Sequence, residues 1–411
     1  MAQLRVAVVS DIHAGSKPSE WTHVVAEPPS ASAGDQPLAD LFHFVRSTQL
    51  RADYLVAPGD IANQADGIGL QYAWRVLHSL ATEMGARLVG APGNHDVITH
   101  DDVPDGTVLL RNLLPSFPVG EPAIDDQFWV DGFAILEEPT HRVVVLNSTY
   151  DFPAYPSGFG PGTPEWNAYL NALDRGSFPN EVEGRLDQAL EGLDPKINLL
   201  VVHHHPQEHQ LKDQFKDTYG PMHRGDALLA LLHRHHSVGR WVLLHGHKHI
   251  PQLVHAGGAV GTSVTVMCAA SAGASIWPPH HTVTRNQFHV LNLEDDSLPG
   301  LGTLRGTVES YFWAFSEGWM PPQRRGSGLP AVTGFGCTDD HRDLASQVAH
   351  LMNSEALEFM DVPELHARLP RLRYQVPVEF ELFEQELLTA GFFLSRDYEE
   401  RVHQVVRKVL P

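Results

Sequence analysis

The stretch LRVAVVSDIH, residues 4–13, reads as a strand that runs straight into polar chemistry. Leu4, Val6, Ala7, Val8 and Val9 form an apolar run without polar alternation, the pattern of a strand covered on both faces, and the run stops at Asp11 and His13. Four later stretches share this grammar. ADYLVAPGD (52–60) stops at Asp60, ARLVGAPGNHD (86–96) at Asn94, His95 and Asp96, INLLVVHHHP (197–206) at His203, His204 and His205, and RWVLLHGHKH (240–249) at His245, His247 and His249. Helical patterns fall between them, as in PLADLFHFVRSTQL (37–50), LQYAWRVLHSLATEMG (70–85) and GDALLALLHRHH (225–236). Strand, helix, strand order specifies an α/β sheet, and ligands of such sheets sit beyond the carboxyl ends of the strands. All five polar clusters occupy those ends.

Working outward, DGFAILEE (131–138) and HRVVVLNSTY (141–150) lie close enough to form a hairpin. The Pro-, Gly- and aromatic-rich segment 151–166 is too irregular for core and is expected as a loop at the rim of a site. Residues 257–275 and 286–295 read as further strands of the same body. The texture changes near DDSLPGLG (295–302), which divides the chain into a domain over 1–298 and a C-terminal extension over 299–411 of mixed strand and helix. At its end, Val402, Val405, Val406 and Val409 in RDYEERVHQVVRKVL (396–410) share one helical face, for packing on the core or for a homodimer or partner contact. No internal repeat and no low-complexity tract occurs.

With 411 residues and 42% hydrophobic content the chain can bury a full core. Its formal net charge of −21 repels polyanions, which disfavours a nucleic-acid binder, and no Lys/Arg stripe offsets it. Two cysteines, Cys268 and Cys337, exclude a disulfide framework. Residues 1–10 contain neither a long apolar region nor a small-residue cleavage site, and no apolar run is long enough for a bilayer, so a cytoplasmic protein without membrane contact is expected. Histidine is the outlier at 26 residues, and neutral imidazole is the commonest metal ligand.

Each short motif alone is weak. In this order, however, D-x-H, G-D, G-N-H-D, H-H-x-P and G-H-x-H resemble the calcineurin-like metallophosphoesterase family, the binuclear metallophosphatases, over about residues 4–295. The resemblance implies a four-layer αββα sandwich of two mixed β-sheets flanked by helices, with the last hundred or so residues unmatched. It also implies two divalent ions per chain. Asp11 and His13 would bind the first, Asp60 would bridge both, Asn94, His204 and His247 would bind the second, and His249 would complete the first. By the same resemblance the ligand is the histidine two places before Pro206, hence His204; adjacent residues at a strand end point to opposite faces, which leaves His203 and His205 as orienting partners, substrate contacts or solvated side chains. His209 and His245 are weaker candidates for the same orienting role.

Such a set has a physical rationale. Two ions about 3.5–4 Å apart polarise a phosphoryl group and acidify a bridging water for in-line attack. A carboxylate is needed between them because a neutral imidazole has one lone pair to give, whereas Asp60 has an oxygen for each ion. Mixed N and O ligands suit Mn, Fe, Zn or Co. By the resemblance, His95 would assist the leaving-group oxygen without binding metal, and Asp96 would either orient His95 or cap the following segment. The motifs are similar to those of bacterial class III cyclic nucleotide phosphodiesterases, so a phosphodiesterase acting on a small nucleotide-type phosphoester is expected first. A nuclease or phosphomonoesterase and a non-catalytic scaffold on the same fold are the competing readings. Trp21, Tyr150, Phe152, Tyr155, Phe159 and Trp166 are candidates to stack on a base, or else to pin a loop.

Overall fold

The apolar runs are strands, ordered as β1 (Ala2–Val8), β2 (Tyr54–Ala57), β3 (Arg87–Gly90), β4 (Phe133–Glu137), β5 (His141–Leu146), β6 (Ile197–Val201), β7 (Trp241–His245), β8 (Gln252–Ala256), β9 (Val264–Cys268), β10 (Gln287–Asp295), β11 (Arg305–Ala314), β12 (Gly318–Met320), β13 (Val332–Phe335), β14 (Phe359–Asp361), β15 (Phe392–Arg396) and β16 (Val402–Arg407). The computed structural model describes residues 2–26, 34–215, 220–257, 263–295, 304–322, 327–397 and 401–408.

Two mixed sheets form the body. The first runs β12-β11-β10-β1-β2-β3, with β13 also on β11, and the second runs β4-β5-β6-β7-β9-β8. β1, β2 and β3 are parallel, as are β5, β6, β7 and β9, so the loops that carry the polar clusters emerge at one kind of edge. β4 and β5 form the expected hairpin, Phe133 opposite Leu146.

Period-two alternation divides β5, β6 and β7 between two cores. Val143, Val145, Leu199, Val201, Val242 and Leu244 face the first sheet, in a cluster that includes Val6, Val8, Leu55 and Val89. Val144, Leu146, Leu200, Val202 and Leu243 face outward onto Val182, Leu186 and Leu190 of helix Asn180–Leu190 and onto Leu228, Leu231 and Leu232 of helix Gly225–Arg234. Helices α1 (Pro37–Thr48) and α2 (Gly67–Met84) cover the first sheet with Leu38, Leu41, Val45, Leu70, Trp74 and Leu77. The result is two mixed sheets flanked by helices, as the resemblance implies. No helix among the described residues is long and apolar enough to cross a membrane.

One helix end bears directly on the site. Asp66 caps α2 by accepting the N–H groups of Ile68 and Gly69, while its second oxygen accepts the N–H and Oγ–H of Ser16 in the loop after β1. A single carboxylate thus satisfies the helix start and pins the loop that carries Asp11 and His13. A Cβ at Gly69 would strike the carbonyl of Ala14, so only glycine lets α2 come this close.

Residues 305–335 add β11, β12 and β13 to the first sheet, and a separate core begins near Cys337. Leu344, Val348 and Met352 of helix His341–Ser354, Phe383 and Leu387 of helix Pro377–Thr389, and Val405 pack in it against the sheet β14-β16-β15. The expected boundary at 298/299 falls outside the described residues. The helix expected over 396–410 is not formed. Residues 402–407 are β16, paired with both β14 and β15, while Val409 lies outside the described residues. Three β-branched valines suit a strand between two partners, and that pairing outweighs the helical spacing.

Candidate metal centre

The loops after β1, β2 and β7 hold their polar residues in the left-handed region: φ is 51° at Asp11, 51° at His13, 50° at Asp60, 73° at His247 and 58° at His249. Non-glycine residues rarely adopt it, and such strain concentrates at functional sites. Backbone bonds lock the conformations: His13 N–H donates to the Asp60 carbonyl at 2.9 Å, and His247 N–H to Asp11 Oδ1 at 2.9 Å. Gly246 packs so tightly against Asp11 that a Cβ there would strike the carboxylate.

Two clusters of potential ligand atoms result. Asp11, His13, Asp60 and His249 form one, and His203, His204 and His247 the other, with the ligand atoms of each within 4.8 Å of one another. In the first, His13 Nε2 and His249 Nε2 stand 3.1 Å apart, His249 Nε2 lies 3.3 Å from Asp11 Oδ1, and His13 Nε2 lies 3.6 Å from Asp60 Oδ2. Burial, against the pull of the Asp60 charge, drives His13 down to about 3, so its ring is neutral and has a lone pair to give. The ring nitrogens and carboxylate oxygens thus converge on one point, where a cation would be held by all four side chains.

His203 makes the same point at the second cluster. Its Nδ1–H donates to the Pro58 carbonyl at 2.7 Å, which fixes Nε2 as the lone-pair nitrogen. That Nε2 faces two more electron-pair donors, Asn94 Oδ1 at 3.1 Å and Asp60 Oδ2 at 3.3 Å. Burial pushes His203 down, but the Asp60 carboxylate outweighs it and raises His203 to about 9, a proton serving where no other cation is bound. Asp60 itself, raised by burial alone, is held well below the carboxylate range by His203 and His95. His247 Nε2 is buried without a hydrogen-bond partner, and burial keeps its ring neutral. Ring nitrogens converging on a shared carboxylate, with His203 protonated against it, fit a pair of divalent cations.

A family model described as calcineurin-like phosphoesterase matches residues 4–251. The chain belongs to the calcineurin-like phosphoesterase family. It is therefore a metal-dependent phosphoester hydrolase. A second model, described as wHTH-Calcineurin_assc, matches residues 333–389 in the C-terminal extension. No curated protein matches the chain closely enough to count as a relative. Among solved structures it is similar to a dimetal phosphatase from Danio rerio, at 15% identity over 76% of this chain and 99% of that one, with a TM-score of 0.45. It is also similar to purple acid phosphatase PPD1 from yellow lupin seeds, at 11% identity over 82% of this chain and 54% of that one, TM-score 0.46. A 5′-nucleotidase precursor from Thermus thermophilus matches at 13% identity over 76% of this chain and 55% of that one, TM-score 0.36. The chain thus spans about half the length of the latter two.

The three-histidine run of this phosphoesterase departs from the expected alternation. β6 ends at Val201, and residues 203 and 204 lie in a bend, so the strand rule no longer applies and both rings come near His247. His204 is fully engaged elsewhere: Nδ1 meets Ser148 Oγ at 2.7 Å and Nε2 the Leu173 carbonyl at 3.2 Å. A neutral ring with Nε2–H donating to Leu173 and Nδ1 accepting from Ser148 has no lone pair left. His205 stacks on His247, centroids 5.7 Å apart at 18°. His209 Nε2–H donates to the Ile250 carbonyl at 3.1 Å, and His245 Nδ1–H to the Gly246 carbonyl at 3.0 Å; both brace the loop after β7.

His95 lies edge-on to His13 with centroids 4.8 Å apart, and its backbone N–H donates to Asp60 Oδ1 at 2.8 Å. Asp96 accepts the N–H groups of Ala62 at 2.7 Å and Gly93 at 2.9 Å, so it ties the loops after β2 and β3 together. Burial and the Asp60 charge raise Asp96 to about 7.

A cleft of about 480 Å³ opens over the cluster, lined by His13, His95, His247 and His249 and by Trp21 and Trp277. Of the six expected stacking aromatics, only Trp21 lines it. Tyr155 and Trp166 instead pack on Tyr169 and on each other, Phe152 lies against His204, and Tyr150 lies under Arg185, all pinning their own loops. Trp277 was not legible: it sits in a loop beside Pro278 and Pro279, and only the fold brings it to the cleft. A larger cavity, about 550 Å³, lies between body and extension and holds neither potential ligand cluster.

Proposed function

We propose that this phosphoesterase is a binuclear phosphodiesterase acting on a small nucleotide-type phosphoester. The observation that carries this reading is the meeting of both clusters on one carboxylate, Asp60 Oδ2 lying 3.6 Å from His13 Nε2 and 3.3 Å from His203 Nε2. Asp11, His13, Asp60 and His249 would hold one ion, and Asp60, Asn94, His203 and His247 the other. We place His203 rather than the expected His204 at the second ion because both ring nitrogens of His204 already meet Ser148 and Leu173, whereas His203 Nε2 faces the shared Asp60. The N and O donors suit Mn, Fe, Zn or Co. When bound, the two ions neutralise phosphoryl charge and acidify water for in-line attack.

The chain's own residues do the rest. The His95 imidazole delivers a proton to the leaving-group oxygen, and its backbone bond to Asp60 sets its distance from the reacting centre. Asp96 keeps the Gly93–His95 loop aimed through its two backbone bonds. The cleft volume of about 480 Å³ suits a small ligand, and the net charge of −21 disfavours a polyanion.

The test compares hydrolysis of bis-(p-nitrophenyl) phosphate and p-nitrophenyl phosphate, with Mn²⁺ and with EDTA. A metal-dependent preference for the diester is expected. Preference for the monoester would move the function to a phosphatase, and no turnover of either by metal-loaded protein would contradict catalysis on simple phosphoesters.

A further inference from the structure

Eight tryptophans occur in the chain, and only Trp21 and Trp277 are exposed, at 62% and 61%. Both line the cleft that holds His13, His95, His247 and His249. Leaving two indoles in water forgoes burial that each could make, and paired exposure at one cleft points to a ligand that covers them.

The backbone explains why they stand together. Thr22 and Ala274 form an antiparallel bridge, His23 N–H donates to the Gly273 carbonyl at 2.9 Å, and Ser275 N–H to the Trp21 carbonyl at 3.0 Å. The loop after β1 and the loop after β9 are therefore zipped, each ending in one indole at the cleft mouth. Trp277 is further braced by the His280 ring, edge-on at 5.0 Å and 88°, and by the fixed φ of Pro278 and Pro279 that follow it. Rigid, pre-placed aromatic faces suit the stacking of a planar ring and lose little entropy on binding. Asn63, Gln64 and Ser275 line the same cleft and offer donors and acceptors for the edges of such a ring.

We propose that Trp21 and Trp277 form a stacking platform for the base of a nucleotide whose phosphate reaches the metal centre. The two indoles are specificity-determining residues: they select substrates that carry a planar heterocycle on the alcohol side of the phosphoester. The inference rests on the phosphoesterase reading of the same cleft, and its test separates the two.

Binding of adenosine 5′-monophosphate and of ribose 5-phosphate to metal-loaded full-length protein is measured by calorimetry, with EDTA-treated protein as reference. The two ligands share a phosphate and differ by the base. The nucleotide is expected to bind about tenfold or more tighter, in line with stacking on an aromatic face. Trp21→Ala and Trp277→Ala are each expected to cut the ratio of the two affinities about tenfold. Trp277→Phe, which keeps an aromatic face, is expected to retain most of it. A merely structural role would weaken both ligands together and leave the ratio unchanged, which would overturn the proposal. Metal-dependent binding of ribose 5-phosphate with no gain for the nucleotide would overturn the platform and leave the phosphoesterase reading standing. Failure of both ligands to bind would overturn the platform and count against phosphate binding as well.

Discussion

Histidines in the body and in the C-terminal extension meet opposite kinds of neighbours. In the extension His341 Nδ1 lies 3.0 Å from Glu379 Oε2, an ordinary half-exposed pair across two helices, and burial with nearby Arg373 lowers His366. In the body His13 Nε2 lies 3.1 Å from His249 Nε2, and His203 Nε2 faces both Asn94 Oδ1 and Asp60 Oδ2. Among the described residues, both clusters of potential metal ligands lie at the strand ends of the body. Abundance of histidine therefore says little. What marks a metal site is convergence of ring nitrogens and carboxylate oxygens on one point, held by strained loops.

Removing the shared acceptor should have the largest effect. Asp60→Ala is expected to lose metal and to lower kcat/KM at least about 10³-fold, since several kcal/mol of charge stabilisation go with the ions. Retained metal and rate would break the contrast at its centre. His95→Ala should keep both ions while kcat falls by about 10²-fold or more, the scale of a lost general acid; unchanged turnover would remove His95 from its role.

His204→Ala sharpens the comparison from inside the body. It strands Ser148 Oγ and the Leu173 carbonyl, so urea unfolding should show a loss of about 1–3 kcal/mol with metal content intact. A fourth expectation concerns a buried histidine outside the clusters. Burial drives His289 down to about 3 from an ordinary value of 6.5, so between these values the unfolded chain takes up a proton that the folded chain refuses. Stability should therefore fall as pH falls from 6.5 towards 3, on the order of 2 kcal/mol by pH 5. His289→Gln should flatten that slope in urea titrations at pH 7 and 5. The smallest effect belongs to the extension: His341→Ala should cost at most about 1 kcal/mol of stability and leave metal content unchanged.

How much of this was legible in the sequence depends on how local the cause is. The five strand-end clusters were readable because an apolar run followed by Asp or His is a local pattern, and parallel strands bring such ends together. Within residues 203–205 the proposed ligand differs from the one the resemblance implies, and the sequence offers no means to decide, because alternation holds only while the strand lasts and β6 stops at Val201. What separates His203 from His204 is the position of Pro58, Ser148 and Leu173, all remote in sequence. Trp277 is not legible for the same reason: a bridge between residues 22 and 274 brings its loop to the cleft that Trp21 lines. The segment 402–407 reads as a helix because Val402, Val405 and Val406 fit the helical spacing rather than strand alternation, and only the partners β14 and β15 make it a strand.

The most direct measurement is the metal content of the protein reconstituted with Mn²⁺, determined per folded chain for the wild type, His203→Ala and His204→Ala. Two ions, one ion and two ions are the expected values. A wild type that holds none, or a His203→Ala protein that keeps two while His204→Ala drops to one, would contradict the assignment of the centre.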